Sequence, residues 1–117
     1  IKKEEKKGKD WIESPLREIP RELPALTRAA KVLKKIDKLY GKSSTYEEDT
    51  AAICELAAAL QGCDFREENQ KVEIILSDLL MRISDVARIT KISQEQILTD
   101  KIDDLIENYE YLSDNGK

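Results

Sequence analysis

The sequence predicts an all-α fold, a helical bundle of about four helices, and three observations carry that expectation. Charged residues make up 38% of the 117-residue chain and aromatics only 5%, a balance suited to long solvated helices rather than to sandwiches or α/β sheets. Apolar residues recur three and four positions apart over long stretches, which lines them along one face of a helix. Between those stretches stand polar segments in which Ser, Thr or Asp is followed three residues later by Glu or Gln, the pairing that closes the start of a helix.

Taken in order, residues 1–10 (IKKEEKKGKD) are nearly all charged and hold no apolar area to bury, so a disordered arm is expected there, with one domain over residues 11–117. Trp11 opens that domain as a packing anchor. Pro15, Pro20 and Pro24 push the residues before them out of the helical region, which predicts an irregular lead-in with short turns. The first helix is expected from near Glu22, with Pro24 in its first turn, carrying Leu26, Ala29, Ala30, Leu33, Ile36 and Leu39 to a stop at Gly41. Thr45 and Glu48 cap the second helix, which runs to Gln61 and ends at Gly62. Asp64 with Glu67 reads as the same cap for a third helix, bearing Val72, Ile75, Leu76, Leu79, Ile83 and Val86 on one stripe and Ile74, Met81 and Ile89 on another. A helix apolar on two sides belongs between neighbours or against a second subunit, so this one is expected at the centre. Ser93 and Gln96 open the last helix, whose Ile97, Leu98, Ile102, Leu105, Ile106 and Tyr109 are expected to face inward.

Composition narrows the chemistry. The chain has no histidine, which removes Ser-His-Asp and Cys-His nucleophiles, imidazole bases and the commonest zinc sites; catalysis would have to use carboxylates or lysines. Twenty Lys and Arg stand against twenty-four Asp and Glu, a net charge of −4, so no surplus positive field draws in a nucleic-acid backbone. No stretch approaches the ~20 apolar residues that span a bilayer, and the opening lacks the apolar core of a signal peptide, so neither export nor anchoring is expected. Cys54 and Cys63, nine positions apart, would lie roughly 13 Å apart along a single helix, too far to bridge. Reduced thiols and a cytoplasmic location are the expectation.

Three runs then stand out in order along the chain: LREIPRELPALTRAAKVLKKIDKLYG at 16–41, SDLLMRISDVARI at 77–89 and DKIDDLIENYE at 100–110. Together they resemble the MazG nucleoside triphosphate pyrophosphohydrolase family: its Pro-containing lead-in and LPAL-x-R-A helix, its GDLLF helix with a trailing N-x-A-R, and its last helix. The resemblance covers about residues 16–110. It implies an all-α pyrophosphohydrolase fold assembled as a homodimer or a pair of dimers, with Mg²⁺ as cofactor and a nucleoside triphosphate as ligand, cut to monophosphate and pyrophosphate. In that family an E-E-x-x-E segment on one helix faces E-x-x-D on the next. Residues three or four apart share a helix face, so two such helices converge carboxylates on a hard cation, which neutralises phosphate charge and activates water.

Carried over residue by residue, Glu55 stands where an acid belongs, whereas Cys54 and Ala58 replace two others. Asp78 fits, and its partner acid has become Ile75. Asp85 fills the place of the family's later Asn, and Lys35 and Lys101 match positions where lysines meet phosphates. After Lys101 the arginines of the family give way to Asp103, Asp104 and Leu105, which would repel a triphosphate. The resemblance thus implies metal ligation by Glu55 and Asp78 with Asp85 assisting, in a set degenerate at Cys54, Ala58 and Ile75. A plainer reading competes with it. Arg82, four residues after Asp78, is spaced to pair with that carboxylate along one helix and to oppose a cation. Ile75, Ala58 and Cys54 would turn the acidic cleft into packing, and Lys35 and Lys101 would be solvated helix-face residues. Cys54, with no imidazole to activate it, is expected as a small hydrophobe. The expected function is a divergent MazG-like protein with lost or much reduced Mg²⁺-dependent hydrolysis, acting as a nucleotide-binding, regulatory or assembly module. The alternatives are an active but altered hydrolase and a purely structural helical partner protein. Glu47, Glu48 and Asp49 are further acids that could stand in for missing ligands.

Overall fold

The computed structural model describes residues 15–115, with side chains through residue 112; the charged arm and the Trp11 anchor lie outside the described residues. Among those described, every regular element is helical: a 3₁₀ turn at Pro15–Glu18, then α1 (Ala25–Tyr40), α2 (Tyr46–Gln61), α3 (Asn69–Thr90) and α4 (Gln94–Asn115). The expected all-α class and helix number hold.

The lead-in is a short turn, as the prolines require, and it packs Ile19 against α1. Pro24 caps α1 rather than sitting inside it, so the helix begins at Ala25, three residues later than expected. Proline has no N–H to give and its own ψ of 142° is extended; its carbonyl still accepts the first helical bond, from Arg28 at 2.8 Å. Gly41 ends α1 in the left-handed region at φ 64°, where a Cβ would strain the backbone.

Thr45 closes α2 as expected, in both directions: its Oγ1 accepts from the Glu48 N–H at 3.1 Å, and its own N–H donates to Glu48 Oε1 at 3.0 Å. The pairing expected between Asp64 and Glu67 does not start α3. Asp64 Oδ1 instead accepts from the Arg66 N–H at 3.1 Å, and Glu68, not Glu67, reaches back to the Asp64 N–H at 2.9 Å. A tight local turn satisfies these groups, and α3 begins five residues later at Asn69. Ser93 caps α4 by accepting from Gln96 N at 3.2 Å, while the Gln96 side chain turns forward to Asp100.

α3 is the central helix, packed on both α2 and α1. It supplies Ile75, Ser84, Asp85 and Ala87 to the buried set. The last helix departs from expectation. Beyond Gln94 and Glu95 every described residue of α4 is exposed, including Ile97, Leu98, Ile102, Leu105, Ile106 and Tyr109. Helical periodicity marks an apolar face but does not say which chain covers it.

Candidate functional site

α2 and α3 lie side by side, and their facing positions decide what can gather there. On α2 the inward stripe runs Asp49, Ile53, Leu56 and Leu60, four and three residues apart, with a carboxylate at its head. On α3 the corresponding polar residues are Asp78, Arg82 and Asp85, again four and three apart. Two clefts result. One, of about 570 Å³, is lined by Ala52, Glu55, Leu56, Ala59, Asp78, Met81 and Arg82. The other, of about 500 Å³, opens where the α1–α2 loop meets α3 and is lined by Leu33, residues 41–44, Asp49, Met81, Arg82 and Asp85. Met81 and Arg82 form the wall between them.

The first cleft brings Glu55 and Asp78 together, as the resemblance implied. The third expected ligand is elsewhere: Asp85 lines the second cleft and is held by Arg88, whose Nε donates to Asp85 Oδ1 at 2.7 Å. Arg82 does not make the expected pair with Asp78. Its Nη1 donates to Asp49 Oδ1 at 3.0 Å and to Ser44 Oγ at 3.2 Å, across to α2 and the loop before it. An intrahelical pair at a solvated surface gains little, whereas Asp49 is wholly buried and an ionised carboxylate there needs a cation.

The substituted family positions divide. Ile75 is buried and does convert its place into packing, whereas Cys54 and Ala58 are exposed, contrary to the expectation that they would be packed. Both cysteines are free; the Cys63 thiol donates to the Ala59 carbonyl at 3.3 Å. Lys35 is drawn away to Glu18 of the lead-in, 3.3 Å from its carboxylate, and Lys101 stands exposed on α4. Neither lines the clefts. Of the further acids, Glu48 is occupied by its cap and Glu47 is exposed, but Asp49 enters the site.

Asp49 and Asp85 form the electrostatic centre. Burial first, then the hydrogen bond with Asp85, raises the Asp49 carboxyl from 3.8 to about 6, against the pull of Arg82. Burial also opposes ionisation of Asp85, but hydrogen bonds from Arg88 and from Asp49 outweigh it and hold that carboxyl below the usual range. Asp49 Oδ2 is buried with no donor to receive, and two ionised carboxylates offer only lone pairs to each other. In mildly acid solution, below about pH 6, a proton on Asp49 resolves both facts by making it a donor to Asp85. Arg88, 15% exposed, completes the network through Asp37 of α1, with 3.9 Å between Nη1 and Oδ2. Three helices are thus tied by one chain of charges. The signal for it was legible in the polar residue at the head of the α2 apolar stripe; the partner was not.

As a resident Mg²⁺ site the first cleft fits poorly. Two carboxylates line it with a guanidinium beside them, which opposes a divalent cation. Mg²⁺ binds through so few carboxylates only when substrate phosphates supply further oxygens. A third cleft, of about 410 Å³ between the lead-in and α1, is lined by Arg17, Arg21 and Arg28, cations that the family resemblance did not single out.

No family model, curated protein or solved structure matches the chain. Among the described residues no helix is long and apolar enough to cross a membrane.

Proposed function

We propose that the chain is a divergent MazG-like module in which Mg²⁺-dependent nucleoside triphosphate pyrophosphohydrolysis is lost or much reduced, and which binds a nucleotide in a regulatory or assembly role. The observation that carries this reading is the position of Arg82. Its guanidinium, fixed by Asp49 and Ser44, lines the same cleft as Glu55 and Asp78, so the charge that a cation would bring to the cleft is already supplied by the protein. A guanidinium can meet phosphate oxygens directly, while repelling a divalent ion beside it. The hydroxyls of Ser43 and Ser44 and the ammonium of Lys42 on the neighbouring cleft suit the same ligand class.

A panel of nucleoside triphosphates with Mg²⁺ or Mn²⁺, scored for pyrophosphate and monophosphate, tests the reading. The expected result is no release above a protein-free control, together with a metal-independent thermal shift by at least one nucleotide that Arg82→Ala removes. Turnover that needs metal and disappears in Asp78→Ala would establish the altered hydrolase instead, with Glu55 and Asp78 holding one substrate-bound Mg²⁺. The absence of any nucleotide shift, with or without metal, would leave the purely structural helical protein.

A further inference from the structure

The charges of this chain are unevenly divided. Residues 15–42, the lead-in and α1 with the first loop residues behind it, hold eight Lys and Arg against three Asp and Glu, whereas residues 43–117 hold seven against seventeen. An anion is therefore drawn to the lead-in and α1 and repelled from the rest. Within that stretch one cleft gathers guanidinium groups: Arg17 and Arg21 from the lead-in and Arg28 from the start of α1 border a space of about 410 Å³. Arg28 is the informative member. It is half-buried, its Nε is enclosed with no acceptor among the described residues, and neither it nor Arg21 enters an ion pair there. The acids of the stretch do not serve them: Glu18 is taken by Lys35 at 3.3 Å, Asp37 faces Arg88 at 3.9 Å, and Glu22 is exposed. A guanidinium drawn partly out of water without a counter-charge carries an unmet desolvation cost, and like charges around one space add repulsion. An anion in the cleft removes both.

We propose that this cleft is an anion site that takes a phosphate dianion, free or as the terminal group of a small phosphomonoester. The donor set selects the group. A carboxylate has two oxygens, which a single guanidinium fork already fills; three forks around one space call for more acceptor oxygens and more charge, which a tetrahedral phosphate dianion supplies. The volume lies near the lower end of small-ligand sites, and the acidic remainder of the chain repels an extended polyanion such as nucleic acid. Bound there, the anion joins Arg17 and Arg21 of the lead-in to Arg28 of α1 and fastens the lead-in on the helix. The cleft shares no residue with the two that meet at Arg82, so the site stands independently of the nucleotide reading.

Two-dimensional NMR of the isotope-labelled full chain tests the site, by titration with sodium phosphate and separately with glycerol phosphate at constant ionic strength and about pH 8, where the phosphate group is dianionic. Amide shifts that saturate and centre on residues 16–32 are expected with both. A lower half-saturating concentration for the ester marks a small metabolite as the source, and equal values mark the phosphate group alone. Arg21→Gln and Arg28→Gln are each expected to raise that concentration about tenfold, while Arg66→Gln, at an exposed arginine between α2 and α3, leaves it unchanged. Because Arg21 is exposed, its variant keeps the test decisive even where Arg28→Gln fails to fold. Shifts that grow without saturating, that sodium chloride reproduces, or that centre on residues 41–44 and Arg82 overturn the proposal, as does binding that Arg21→Gln leaves unchanged.

Discussion

A carboxyl group with no exposure, set at the head of an apolar helix stripe, has to find a counter-charge or keep its proton, and Asp49 is arranged for both. Its Oδ1 takes the Arg82 hydrogen bond while its other oxygen, facing no donor, is served by retaining a proton toward Asp85. Because the folded value of about 6 lies above the ordinary 3.8, the stabilisation tied to the protonated form is complete below pH 4 and is lost as pH rises through 6. That displacement corresponds to at most about 3 kcal/mol. Asp85, held low, acts in the opposite sense and in a different window: its contribution is present above pH 4 and lost on further acidification. Asparagine at position 49 has the shape of the protonated acid, an oxygen for Arg82 and an N–H for Asp85. Asp49→Asn is therefore expected to match or exceed the parent in thermal midpoint at pH 7 to 8 and to show no slope between pH 4 and 6. A variant whose midpoint still falls across that interval as the parent's does would show that Asp49 is not the group responsible. Asp85, named from the sequence as a metal ligand, serves instead in this network, because Arg88 one turn further along α3 claims its carboxylate.

At the scale of the element, helix ends were legible where the signal is local and self-contained. The Thr45–Glu48 pair and the Gly41 stop need only neighbouring backbone, and both form as expected. The Asp64 segment carried the same kind of signal but satisfied its groups in a turn closed by Glu68, since a capping residue forms equally good bonds in an Asx turn. α3 ends on a left-handed residue with no sequence warning: Lys91 has φ 61°, its N–H bonding the Ala87 and Arg88 carbonyls while Ile92 N–H reaches Ala87 at 2.9 Å. A side chain in that conformation costs about 1 kcal/mol relative to glycine. Lys91→Gly is expected to raise stability in urea by about 0.5–1 kcal/mol, whereas Gly41→Ala, where a Cβ meets nothing within 4 Å yet φ is 64°, should lower it by about 1 kcal/mol through strain alone. Unchanged midpoints for both would mean these ends are frayed in solution.

For the whole molecule the decisive fact is how little is fully buried among the described residues. Ser84 and Asp49 are the described side chains most completely enclosed, and both are polar, held by Gln94 and Arg82 respectively. Such a network specifies how α1, α2, α3 and the start of α4 meet, but paired buried charges contribute little net stability. A second copy of the chain, as the family resemblance implies, would couple unfolding to dissociation, and the thermal midpoint should then fall by several degrees on hundredfold dilution. A midpoint independent of concentration from micromolar to hundreds of micromolar would count against it.

The chain's sequence by itself determined the helical class, the number of helices, four of their ends (at Gly41, Thr45, Gly62 and Ser93) and the central place of α3, because spacing, caps and glycine act through neighbours a few residues away. Glu55 and Asp78, singled out through the resemblance, line one cleft. Only the tertiary structure decided that Arg82 joins Asp49 instead of Asp78, that Asp85 belongs to a different cleft, that Lys35 is taken by Glu18, and that the apolar face of α4 turns to solvent. Each of those outcomes depends on groups distant in sequence competing for one partner, and the winner is set by burial, which periodicity within a single helix does not record.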